Sequence, residues 1–221
     1  MPNARETKNR LYEQFAHLAK AMASPKRLEL LDLLCQCEKT VEVLAEQSFI
    51  SIANTSRHLQ ILRVARLVET RKVGVHVFYK LADEKVCEFF RSLLLLANSR
   101  LAEIDRIIAD FFDTPDNLQP VNRKKLISRA KVGEVVVLDV RPEDEYQTAH
   151  LPYARSIPLS KLREHLQEFS PDQEIVAYCR GPYCVLAQEA VSILRKEGLN
   201  AVRLSDGIAE WTKAGMKVIS K

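Results

Sequence analysis

The sequence predicts two units in series: an α+β unit that is mainly helical, then an α/β unit with a mainly parallel sheet. Three observations carry this. Before residue 113, apolar residues recur at helical spacing, interrupted once by two β-rich runs around a glycine. "DTPDNLQP", residues 113–120, holds two prolines and no periodic apolar residues, which is linker chemistry. Beyond it, short apolar runs alternate with helical patterns, as they do where parallel strands are joined by helices. The expected boundaries are 1–113, a linker at 114–120, and 121–221.

Composition narrows the class. The 221 residues are 47% hydrophobic and 28% charged, so each unit can bury a core and neither reads as disordered. Five cysteines in unrelated spacings argue against a secreted disulfide framework. The polar, basic start "MPNARETKNR" does not read as a signal peptide, and the longest apolar run, Leu93 to Ala97, is far short of a membrane span. The expectation is a cytoplasmic protein with no membrane partner, whose cysteines stay as thiols. The net charge of +4 is modest, but residues 57–80 carry six cations against one acid, a local +5 that suggests a nucleic-acid surface.

The first unit can be read element by element. Leu11, Phe15, Leu18 and Met22 mark one helix. Ser24-Pro25 looks like a cap followed by proline at the first helical position of a second. Thr40 and Ser51 are candidate caps for "VEVLAEQ" and "IANTSRHLQILRVA", two helices joined by the short turn "SFIS". "LVETRKVGVHVFYKL" then reads as a hairpin. A helix-turn-helix followed by a hairpin is a winged helix. Its second helix fits the major groove, so Ser51, Asn54, Thr55, Arg57 and His58 are expected to reach base edges, with Ile52, Leu59 and Leu62 facing the core. Arg71, Lys72 and His76 on the hairpin are expected at phosphates.

Over roughly residues 10–112 the chain resembles the ArsR/SmtB family of bacterial winged-helix repressors, most specifically in "SIANTSRHLQILRVARLVETRKVGVHVFYKL". The resemblance implies a homodimer built on the first and last helices and a duplex DNA operator as partner. The sequence supports the dimer separately. Val86, Phe90, Leu93, Ala97, Leu101, Ile104, Ile108 and Phe111 form one long helical stripe, with Phe89 and Leu94 to Leu96 apolar outside it. Cys35-Gln36-Cys37 is similar to the thiolate pair of metalloid-sensing members but stands in a different register. Cys35 follows Leu28 and Leu31 at helical spacing and reads as a core residue. An alternative function, metal or metalloid sensing by Cys35, Cys37 and Cys87, follows if the three thiols meet. The favoured reading has no metal and no cofactor.

In the second unit, "EVVVLDV", "EIVAYC" and "AVRLSD" read as strands. "VNRKKLISRAK", "RPEDEYQTA", "SKLREHLQEF", "CVLAQEAVSILRKEG" and "GIAEWTKAG" read as helices. Ligands in such sheets sit at the carboxyl ends of strands, where Cys179 stands just before a helix. Backbone N–H groups and the positive end of a helix dipole there favour a thiolate. Arg180 adds a positive charge, and Gly181 lets the backbone curl round the sulfur.

Residues 121–221 resemble a single-domain rhodanese, through "LDVRPEDEYQTAHLPYARSIPL", "VAYCRGPYC" and "VRLSDGIAEWTKAGMKV". The resemblance implies an α/β rhodanese-like fold in which Cys179 accepts a sulfane sulfur from a small donor and passes it to a thiol acceptor. The loop residues Arg180, Gly181, Pro182, Tyr183 and Cys184 would enclose that sulfur, with the backbone N–H groups of all but Pro182 able to donate to it. Cys184 stands where family members often carry Arg or Thr, which weakens the case for anionic thiosulfate. The rhodanese-like phosphatases need an arginine six residues after the cysteine, and Val185 is there instead.

Overall fold

The computed structural model describes residues 3–112 and 122–220. The expected linker and the whole of "DTPDNLQP" lie outside these. Two compact units divide the chain, Met1–Arg100 and Leu101–Lys221.

The first unit opens with α1 (Ala4–Met22), started by a reciprocal capping box between Asn3 and Glu6. Pro25 stands at the first position of α2 (Pro25–Leu34). After β1 (Lys39–Thr40), Thr40 caps α3 (Val41–Ser48) and Ser51 caps α4 (Ile52–Val64), each side chain accepting a backbone N–H. β2 (Val68–Val73) and β3 (His76–Leu81) form the expected antiparallel hairpin, and β1 pairs with the other side of β3. Its turn uses Gly74 at φ +59°, a left-handed conformation natural to glycine. α5 (Glu84–Asn98) closes the unit over a core of Leu30, Leu31, Leu44, Leu59, Leu62 and Phe90.

The long apolar stripe is not one helix. α5 stops at Asn98 and α6 spans Ala102–Phe112. Local bonding accounts for the break: the Ser99 hydroxyl donates to the Leu96 carbonyl at 2.8 Å, and the Arg100 N–H turns back to Ala97. Such side-chain bonds compete with helix continuation.

The second unit follows the expected alternation: α7 (Arg123–Lys131), β4 (Val135–Asp139), α8 (Glu143–Thr148), β5 (Ala149–His150) and β6 (Ala154–Ser156). A 3₁₀ segment at Leu159–Glu168 replaces the expected α-helix, with Leu159, Leu162 and Leu166 still packed on the sheet. Then come β7 (Glu174–Tyr178), α9 (Leu186–Lys196), β8 (Ala201–Arg203), α10 (Ile208–Lys213) and β9 (Ile219–Ser220). Strands pair in parallel in the order β6-β4-β7-β8. Alternate residues feed two cores: Leu138, Ile175 and Ala177 on one face, Val135, Val137, Val176 and Tyr178 on the other. A small antiparallel pair, β5 with β9, has no counterpart in the sequence reading. Among the described residues no helix is long and apolar enough to cross a membrane.

Candidate functional site

The central strand β7 delivers Cys179 to the carboxyl edge of the sheet, 2% exposed. The chain then turns tightly, the Cys184 N–H donating to the Gly181 carbonyl at 3.2 Å, and α9 begins two residues later. Cys179 and Cys184 are joined as a disulfide, with α-carbons 6.3 Å apart. The Cys179 Sγ also lies 3.5 Å from the Cys184 carbonyl oxygen. Two glycines shape this loop. Gly181 has φ +148°, and a side chain there would press on Glu210. Gly207, on the far side, passes so close that a Cβ would stand 2.3 Å from the Arg180 carbonyl oxygen. The buried Arg203 donates to the Pro182 carbonyl at 3.0 Å, while Tyr183 stays partly exposed, its phenol pKa raised by burial and by Glu210.

Two expectations for the loop need correction. The Arg180 charge is matched by a carboxylate rather than left open: its guanidinium binds Glu145, with Nη2 2.7 Å from Oε1 and Nε 3.0 Å from Oε2. Glu145 is fully buried, and a buried carboxylate needs such a partner. Nor do all the loop amides face the sulfur, since that of Cys184 closes the turn. The pair to Glu145 lies 35 positions back along the chain, beyond the reach of any spacing rule. Gly207 left one signal, a glycine directly before a helical pattern.

A second buried network braces the strand ends. Arg141 binds Asp139 at 2.7 Å and the Ala149 carbonyl at 2.7 Å. The Tyr178 hydroxyl donates to Asp139 and accepts the Leu151 N–H at 3.1 Å. Burial opposes the Arg141 charge, but the bonded carboxylate outweighs it and keeps its pKa high; burial and Asp139 push the Tyr178 phenol up. His150 stacks on Tyr146 with centroids 3.9 Å apart, a packing role.

The first unit holds its own cysteine pair. Cys35, at the end of α2, and Cys87, near the start of α5, form a disulfide with α-carbons 5.6 Å apart. Both disulfides depart from the expectation of free thiols. Cys37 does not join this pair: among the described residues no group of three His, Cys, Asp or Glu side chains could hold a metal. The thiol trio behind metalloid sensing is not assembled.

On α4 the expected DNA-reading set divides. Asn54 and Arg57 are exposed, and Ser51 caps the helix through the Asn54 N–H at 3.3 Å. Thr55 is fully buried, its hydroxyl bonded to the Ser51 carbonyl, because it shares the inward register of Leu59 and Leu62. Ile52, expected inside, is exposed. Ser56 and Gln60, outside the expected base-reading set, share the outward face with Arg57. His58 is half-buried, and burial, with Arg27 and Arg57 nearby, lowers its pKa. On the hairpin, Lys72 and His76 are exposed, whereas Arg71 is engaged by Glu38, its Nε 2.9 Å from Oε2.

Known proteins match both parts of the chain. Residues 24–70 match the family described as bacterial regulatory protein, arsR family, and residues 122–214 match the rhodanese-like domain. An HTH-type transcriptional regulator of Mycobacterium tuberculosis, Rv0324, is 39% identical over 218 residues, covering 99% of this chain and 96% of its own. The chain belongs to the ArsR family of transcriptional regulators. Within that family it carries a rhodanese-like domain behind the winged helix-turn-helix. A transcriptional repressor SmtB homolog of Synechocystis is 40% identical over 81 residues, 37% of this chain and 61% of the relative. A solved homodimeric winged helix-turn-helix DNA-binding domain from Mycobacterium bovis is 35% identical, covering 46% of this chain and 94% of that one, with TM-score 0.43.

Proposed function

We propose that this regulator is a cytoplasmic, homodimeric repressor whose rhodanese-like unit carries a sulfane sulfur on Cys179, so that reactive sulfur chemistry is coupled to gene control. One observation carries the sulfur reading: Cys179 sits at the carboxyl end of a central strand, in a loop whose path requires bare backbone at Gly207. A cysteine so placed, ahead of the N-terminus of α9, is an activated nucleophile. The donor is a persulfide or polysulfide rather than thiosulfate, because Arg180 is already neutralised by Glu145 and Cys184 supplies no cation. A small thiol is the acceptor.

Asn54, Ser56 and Arg57 on α4 read the operator, and Lys72 and His76 on the hairpin touch its phosphates. Leu11, Tyr12 and Phe15 on α1, with Phe89, Leu95 and Leu96 on α5, are exposed apolar side chains that a second copy covers. Sulfur transfer to cyanide or a thiol, measured alongside operator binding with and without a persulfide donor, tests this. Cys179→Ser loses transfer and the donor's effect on binding but keeps basal affinity. Arg57→Ala weakens basal binding. Transfer that persists in Cys179→Ser, or a monomer without salt-sensitive DNA binding, overturns the assignment.

A further inference from the structure

We infer that Cys184 is a resolving thiol, and that the rhodanese-like unit reduces a bound sulfane sulfur to hydrosulfide. This rests on the reading that Cys179 carries a persulfide. Three features of the loop converge on it. Cys179 and Cys184 are joined in the structure, their α-carbons separated by 6.3 Å, within the range a disulfide spans without backbone movement. Cys184 packs on the same core as Cys179, so its side chain turns inward. The turn is held by the bond from the Cys184 N–H to the Gly181 carbonyl, by Arg203 on Pro182 and by the close passage of Gly207. The two sulfurs are thus held together by the protein. Cys179 is also nearly covered, 2% exposed, which slows a bulky external acceptor but not an internal one.

The chemistry balances. The reduced Cys179 thiolate attacks the outer sulfur of a persulfide or polysulfide donor; a Cys179 persulfide forms and the donor's thiolate leaves. The Cys184 thiolate then attacks the inner sulfur, Cys179 Sγ. The new Sγ–Sγ bond replaces the bond to the outer sulfur, which departs with the electron pair as hydrosulfide. Two cysteine thiols are oxidised to one disulfide and one sulfane sulfur is reduced to sulfide. A dithiol reductant resets the pair by exchange.

The full-length chain, carrying Cys35→Ser and Cys87→Ser to silence the other pair, is reduced, freed of reductant without oxygen, and given one equivalent of cysteine persulfide. Hydrosulfide release is measured beside peptide masses for residues 179–184. The parent should release one hydrosulfide per chain and show the Cys179–Cys184 disulfide. Cys184→Ala, and independently Cys184→Ser, should lose the release and keep one added sulfur on Cys179, with native Trp211 fluorescence confirming the fold. A parent that accumulates the Cys179 persulfide while Cys184 remains open to alkylation overturns the resolving role and leaves the persulfide reading standing. If neither the parent nor the Cys184 variants load sulfur, the persulfide reading itself fails.

Discussion

The two cysteine pairs close very different loops. Cys35 and Cys87 are separated by 52 positions and clamp the end of α2, packed against the core of the winged-helix unit, to the start of α5. Cys179 and Cys184 are separated by 5 and lie just beyond the carboxyl end of β7. Constraining the unfolded chain is worth more for the longer loop: about 4 kcal/mol against about 2 kcal/mol in the loop-entropy model. The first pair is therefore placed to stabilise a fold. The second adds little to a turn that hydrogen bonds and a glycine contact already hold, which suits a pair made to open and close.

The largest expected effect tests that contrast directly. Reducing the whole protein should lower the stability of the winged-helix unit by about 4 kcal/mol. The single tryptophan, Trp211, is buried in the second unit and reports on that unit alone. In denaturant unfolding, the far-ultraviolet dichroism transition that Trp211 fluorescence does not share should move most. An equal shift in both signals would break the contrast.

Next in size is Glu145→Ala. It leaves the Arg180 guanidinium, 12% exposed, without its carboxylate, and should cost about 3 kcal/mol in the Trp211 transition. Reducing Cys179–Cys184 should shift the same transition less, by about 2 kcal/mol. The reverse order would mean that the disulfide, rather than the surrounding network, holds the loop. The smallest effect is expected from Cys37→Ser, which should leave the difference between oxidised and reduced protein unchanged to within about 0.5 kcal/mol. A larger change would tie Cys37 to the pair after all.

What the sequence revealed follows the range of the forces involved. Caps at Thr40 and Ser51, the hairpin around Gly74 and the placement of Cys179 at a strand end all depend on neighbours a few residues apart, and all are present. The misses are tertiary. Arg180 looked like a cation for the sulfur until Glu145 arrived from another element. Thr55 looked polar and available, but its register on α4 turns it inward beside Leu59. Cys35 was legible as a core residue and Cys87 as a thiol that could meet it, but not their disulfide, because only the packing of α5 on α2 fixes which thiols come together. The stripe through Leu101 hid a break that a serine hydroxyl made locally.

The close passage of Gly207 under the Arg180 carbonyl has a consequence for synthesis. The ribosome makes Cys179 well before Gly207, so the loop cannot take its final path until β8 and the start of α10 have emerged. The winged-helix unit is complete long before that and can fold first, as N-terminal domains do. A chain interrupted between α9 and Gly207 would then keep its winged-helix half while lacking the closed Cys179 loop. Under the proposed function, such a fragment would occupy operators and no longer respond to a sulfur donor.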